Sequence, residues 1–155
     1  MKSVSRIMMM LVAIVVLALP FSVASAQTNT RSVTWTEDQV NNSYRVTNPW
    51  RRSVTDVSVD LQAGQVVISS TQTYRRATYQ VEAIYEPSIS NGRIYWTLTS
   101  ASANGEPASQ DLINQINASI STSWRNYVRQ QAGTGRVQGI VITDADITVT
   151  YSVGR

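Results

Sequence analysis

The chain has 155 residues, 13 basic and 10 acidic side chains, and neither His nor Cys. That composition excludes Ser-His-Asp and Cys-His catalysis, disulfides, and nearly all zinc and redox-metal sites. Lys2 is the sole lysine, so the rest of the chain offers no amine for Schiff-base chemistry or a phosphate-binding loop.

Residues 1–26 read as a secretory signal peptide. Lys2 and Arg6 supply the positive start, residues 7–19 form an unbroken apolar run of thirteen, and Pro20 precedes the small-residue site Ala24-Ser25-Ala26. Thirteen residues are short for a bilayer span of about 20. The chain is therefore expected to be exported, periplasmic or extracellular, after cleavage near Ala26; the alternative is an uncleaved N-terminal anchor. Residues 27–155 would form one domain. Loss of Lys2 and Arg6 leaves eleven arginines against ten carboxylates, a net charge of +1. Near-neutral charge and export both argue against a nucleic-acid partner.

Residues 31–36 predict a short strand. Thr36-Glu37-Asp38-Gln39 matches a capping box opening a helix over 37–46, stopped by Asn48-Pro49. Val57, Val59 and Leu61 alternate into the turn Ala63-Gly64, and Val66 and Ile68 lead a return strand to Tyr74. After Arg75-Arg76, the residues Ala77, Tyr79, Val81, Ala83 and Tyr85 share one strand face. Asn91-Gly92 is a hairpin signal, and Ile94, Trp96 and Leu98 share a face of the next strand. Asn104-Gly105-Glu106-Pro107 turns the chain into its one long helical pattern.

That pattern covers residues 109–131. Leu112, Ile113, Ile116, Ile120, Trp124, Tyr127 and Val128 fall on one face; Asp111, Asn114, Asn117, Ser121, Arg125 and Arg129 fall on the other. Ser109 is the expected N-cap, and Gly133 and Gly135 end the segment. The helix would span about 34 Å, and each large apolar side chain it buries contributes roughly 1.5–3 kcal/mol. Val137, Ile140, Val141 and Ile142 predict a strand with a bulge at Gly139; Asp144-Ala145-Asp146 turns it into a last strand through Val153. A strand–helix–hairpin order occurs twice, over 31–72 and 92–153. The similarity is weak enough to be the ordinary outcome of building an α+β fold.

The remaining routes to chemistry are thin. Glu82 and Glu86 would stand about 13 Å apart on a straight strand, too far for a glycosidase pair and better read as solvent-facing charges. Asp144 and Asp146 lack the six to eight oxygens that calcium requires and read as turn residues. Arginine sits beside aromatics at Trp50-Arg51-Arg52, Tyr74-Arg75-Arg76 and Trp124-Arg125, a pairing that suits phosphate head groups. No cofactor or metal is expected.

Three stretches carry a family resemblance. They are Val33-Thr34-Trp35-Thr36-Glu37-Asp38-Gln39-Val40-Asn41, the hairpin from Val57 to Ser69, and Asn104-Gly105-Glu106-Pro107-Ala108-Ser109 leading into residues 113–120. Together they resemble bacterial extracytoplasmic proteins of the LmeA-like and YpmS-like type, relatives of the tubular lipid-binding superfamily. The resemblance implies a curved antiparallel sheet wrapped on a long helix, with an apolar groove for lipid and no fixed catalytic residues. The chain is short for a complete tubular domain.

The expectation is thus an α+β domain: a curved antiparallel sheet of about six strands, one long helix in the C-terminal half and a short N-terminal helix. Its expected function is non-enzymatic binding of an apolar or amphipathic ligand, such as a phospholipid, with peripheral membrane contact. Tyr79, Val81, Trp96, Leu98, Ile116, Ile120 and Trp124 would line the ligand, and Arg125 and Arg129 would meet its head group. The alternative is a cell-envelope interaction or scaffold module with a filled core; a hydrolase using Glu82 and Glu86 ranks last.

Overall fold

The computed structural model describes residues 29–47, 54–133 and 135–153. The leader, the Asn48-Pro49 stop and Trp50-Arg51-Arg52 lie outside the described residues. In order come β1 (Thr30–Thr36), α1 (Glu37–Ser43), β2 (Val54–Gln62), β3 (Gln65–Tyr74), β4 (Ala77–Ser90), β5 (Arg93–Ala103) and β6 (Glu106–Pro107). They are followed by α2 (Gln110–Ile116), a π-helical turn (Asn117–Ser121), α3 (Thr122–Gln131), β7 (Arg136–Ile142) and β8 (Asp146–Ser152). The class is α+β, and every strand pairing is antiparallel.

The strands do not form one sheet of about six. They divide into a three-stranded sheet, β1-β8-β7, and a five-stranded sheet, β2-β3-β4-β5-β6. The division follows from what occupies the outer side of β2. Asn41 of α1 donates through Nδ2 to the Val59 carbonyl and accepts from the Val59 amide, both at 2.7 Å. Glu37 accepts from the Leu61 amide at 2.8 Å, and Asp144 accepts from the Ala63 amide at 2.9 Å. These three side chains satisfy successive outward amides as a neighbouring strand would, so β1 pairs with β8 instead. The two strand–helix–hairpin units interlock: β1 joins the sheet that holds the β7–β8 hairpin, and β5 joins the one that holds β2–β3.

α1 forms where the capping box predicts it, with Gln39 N–H on the Thr36 hydroxyl and the Gln39 side chain accepting from Thr36 N–H. It ends at Ser43 rather than near Val46, because Tyr44 turns extended and sends its ring into the core. Asn91-Gly92 makes the two-residue hairpin, both residues at positive φ (52° and 73°). Arg75-Arg76 makes the same kind of turn with φ of 47° and 68°, a conformation that side-chain-bearing residues rarely adopt.

The long helix begins at its expected cap, Ser109, whose hydroxyl accepts from Leu112 N–H. Its middle is wider than an α-helix. Leu112, Ile116, Ile120, Trp124 and Val128 are spaced by four, and an α-helix turning 100° per residue would rotate such a row by 40° at each step. The π-turn takes up that drift and keeps all five residues buried. It also rotates Ser121, which the α-helical pattern places outside, into the core. Carbonyls along the widened stretch are taken by hydroxyls: Ser119 donates to Gln115, Thr122 to Asn117, and Tyr44 to Ile120. One core joins both sheets to the helices, from Trp35 and Val149 through Ile68, Val81 and Tyr85 to Trp124.

Candidate functional site

The residues expected to line a ligand space between helix and sheet lie in or against this core. Ile116, Ile120 and Trp124 are 0% exposed, Val81 is buried, and Tyr79 and Leu98 pack against the cluster half-buried. Trp124 meets Trp96 with ring centroids 5.3 Å apart, Tyr44 at 5.4 Å and Tyr127 at 5.7 Å. Edge-on and stacked rings at these separations are in contact, leaving no space for a guest between Trp96 and Trp124. Two hydroxyl pairs lie in the same region, while Trp124 Nε1–H finds no acceptor among the described residues. Tyr85 Oη lies 2.8 Å from Ser121 Oγ, and Ser43 Oγ lies 2.8 Å from Tyr127 Oη. Burial pushes the Tyr85 phenol up to about 12, against smaller downward pulls from the Ser121 hydrogen bond and the Arg125 charge. Burial, and then the neighbouring Tyr85, push Tyr44 up as well.

A concave feature lies beside this core. A half-open groove of about 630 Å³ runs between β5 and α3 and reaches the start of β7. Its volume is in the range of small-ligand sites. On one side, five consecutive residues from Gly92 to Trp96 line it. Side chains alternate between the faces of a strand, so a space touched by five in a row meets β5 along its edge. On the other side stand Arg125, Asn126, Val128, Arg129 and Ala132, one face of α3. The end is closed by Gly135 and Val137, whose amide donates to the Gly92 carbonyl at 3.0 Å.

Arg125 and Arg129, expected at the rim of a head-group site, both line this groove, and Trp96 is its only lining residue from the seven expected around a ligand. Arg93 joins them, and Arg136 packs against Gly92 at the closed end. Among the described residues, no carboxylate lines it. Arg125 donates to Thr122 and Arg129 to Asn126, both neutral and one turn back on α3. Among the described residues neither forms an ion pair; the one seen joins Arg75 to Asp111 at 2.8 Å. Beneath the arginines lie Ile94, Trp96, Val128, Ala132 and Val137, with Tyr95 standing 48% exposed beside them.

The other candidates are placed elsewhere. Glu82 and Glu86 are exposed on β4 and do not line the groove. Asp146 holds its own turn through Thr143, and Asp144 accepts from the Ala63 amide of the β2–β3 turn. Arg75 lies over the Tyr74 ring at 5.0 Å and is tied to Asp111, so that arginine–aromatic pair serves the hairpin. Trp124 and Arg125, adjacent in sequence, point to opposite sides of the helix wall: one fills the core and the other lines the groove. Sequence reasoning missed Arg93 and Tyr95. The signal was present in an Arg directly after Asn91-Gly92 and in a tyrosine on the polar side of the Ile94, Trp96, Leu98 alternation.

Comparison with protein-family models, curated proteins and solved structures finds no match.

Proposed function

We propose that this chain is an exported, non-enzymatic interaction module, and that its ligand is an anionic partner held in the open groove between β5 and α3 rather than a cargo inside the core. The observation that carries the reading is the conjunction of Arg93, Arg125 and Arg129 around a space with no lining carboxylate, beside a core in which Trp124 touches aromatic rings on three sides. Arginine is suited to such a site, because its planar fork binds carboxylate or phosphate through two parallel bonds. Export rests on the leader pattern of Lys2, Arg6, the apolar run and Ala24-Ser25-Ala26.

A second reading is favoured by the apolar strip Ile94, Trp96, Val128, Ala132 and Val137 under the arginines. That layering suits an anionic amphipath, such as a phospholipid lying along the groove, and it keeps the membrane contact expected from the sequence. Titration with fluorescein-labelled poly-glutamate and with phosphatidylglycerol vesicles at low and high salt tests both readings. Binding should weaken with salt and fall roughly tenfold in the Arg125→Gln/Arg129→Gln variant, about 1.4 kcal/mol for the pair. Binding of neither probe, or binding indifferent to the double substitution, would remove the groove from the account.

A further inference from the structure

We infer that the occupant of the groove is an extended acidic segment of a partner protein, added as a new strand to the free edge of β5. The inference rests on the groove being the binding surface and specifies how that surface is used.

The two edges of the five-stranded sheet are treated differently. Along β2 the outward amides of Val59, Leu61 and Ala63 each meet a side-chain acceptor. Along β5, β4 covers one side throughout, whereas β6 covers the other only at Ser102 and Ala103. Among the described residues, no strand or side chain hydrogen-bonds the outward backbone of residues 93–100. From Arg93 to Leu98, before the bulge at Thr99, every second residue turns an N–H and a C=O outward, which is the template used in peptide recognition by strand addition. The groove puts a helix beside this edge, so an added strand would lie between β5 and α3 with side chains reaching both.

The charges choose the occupant. Arg125 and Arg129 are one turn apart, about 6 Å along the helix. Side chains on one face of a strand repeat every ~6.7 Å. Two carboxylates separated by one residue in an extended segment therefore match the spacing of the two arginines, and Arg93 adjoins the same space. The apolar residues Ile94, Trp96 and Val128 suit the side chains between the acids. A second copy pairing through β5 fits poorly, because β5 from Arg93 to Ala103 carries no carboxylate to meet Arg125 and Arg129.

The test uses the purified full chain and three fluorescein-labelled peptides read by anisotropy. One alternates Glu and Val over seven residues, one carries Gln for Glu, and one keeps Glu but is N-methylated at every amide, so that neither register can donate. The Glu-Val peptide should bind, with the Gln and N-methyl forms and the Arg125→Gln/Arg129→Gln variant each at least tenfold weaker. Hydrogen exchange of the β5 amides should slow when the peptide is bound. Because Arg125 and Arg129 are exposed, circular dichroism should show the double variant folded. Equal binding of the N-methylated peptide would overturn strand addition while leaving an anion-binding groove. Binding of phosphatidylglycerol vesicles without the peptide would do the same and favour the lipid reading. Self-association on sedimentation, abolished by Tyr95→Lys, would assign the edge to a second copy and overturn the inference. Failure of every anionic probe would remove the groove reading itself.

Discussion

Truncating Trp124 measures how tightly the interior is filled. The ring is fully buried and touches Tyr44, Trp96 and Tyr127. A buried Trp→Ala change costs about 3–5 kcal/mol. Three aromatic contacts, each contributing about 0.5–1.5 kcal/mol beyond area burial, place Trp124→Ala toward the upper end of that range. One effect opposes this: Nε1–H is buried without an acceptor among the described residues, and removing an orphaned donor returns about 1–3 kcal/mol. The net expectation is a loss of about 3 kcal/mol for Trp124→Ala. Trp124→Phe keeps most of the ring contacts while removing the orphaned N–H, and should cost about 1 kcal/mol or less. Urea unfolding followed by circular dichroism, with the slope m unchanged, gives both values. A cost below about 1 kcal/mol for Trp124→Ala would refute the packed interior, because only a ring beside empty space is removed so cheaply. A cost for Trp124→Phe equal to that for Trp124→Ala would refute the assignment of the unpaired N–H.

Asn41→Ala, which removes both hydrogen bonds to Val59, should cost about 2 kcal/mol and lower Tm by roughly 8 °C in a domain of this size. Glu37→Gln, which keeps an acceptor for Leu61 N–H, should cost less than half as much; equal Tm shifts in calorimetry would contradict the edge-covering role. Replacing Arg75-Arg76 by Asn-Gly relieves two left-handed residues at about 1 kcal/mol or more each and loses an exposed ion pair worth about 0–1 kcal/mol. Tm should therefore rise, and a fall would show that the arginines hold more than the turn. Both buried phenols have folded-state pKa values above their unfolded value near 10. Their contribution is complete below pH 10 and is lost above it, as the unfolded chain releases protons that the folded chain retains. The urea midpoint should fall from pH 10 toward 12, with the free energy dropping by up to ~2.7 kcal/mol per pH unit. Tyr44→Phe should roughly halve that slope, and an unchanged slope would locate the titration elsewhere.

Most of the fold was legible because local chemistry and packing agree. The capping box at Thr36, the cap at Ser109, Asn91-Gly92 and the alternation through Val81, Ala83 and Tyr85 all sit where residue type demands. The irregular middle of the long helix was also written in the sequence, as the strict four-residue spacing from Leu112 to Val128. A search for any helical period absorbs that spacing without asking how far the row drifts, and so misses the π-turn and the burial of Ser121. The partition into two sheets was not legible. It depends on Asn41, Glu37 and Asp144 reaching a strand edge 18 or more residues away in sequence, and a polar side chain on a short helix gives no local sign that it substitutes for a strand.

The candidate site was half legible for a related reason. Arg125 and Arg129 were marked by helical phase, because a polar residue opposite a continuous apolar stripe must face outward. Arg93, Tyr95 and the groove itself depend on which side of β5 lacks a neighbour, and strand order is a long-range property. Exposed strand edges are usually blunted by charge, proline or a bulge. On β5 the residues from Ile94 to Ala101 carry no charge and no proline, while the opposite edge of the same sheet is covered by side chains from α1 and from the β7–β8 turn. A bulge at Thr99 interrupts β5, but the run from Ile94 to Leu98 stays unblunted, which is an aggregation hazard when an edge is flat and open. Here α3 and its arginines line the groove beside it, and under the proposed reading they would favour a narrow, negatively charged strand over an uncharged one. The same placement that limits the hazard would give the module its selectivity, so Arg125→Glu/Arg129→Glu should both abolish binding of the acidic peptide and raise light scattering on storage. Loss of binding with no rise in scattering would separate the two roles.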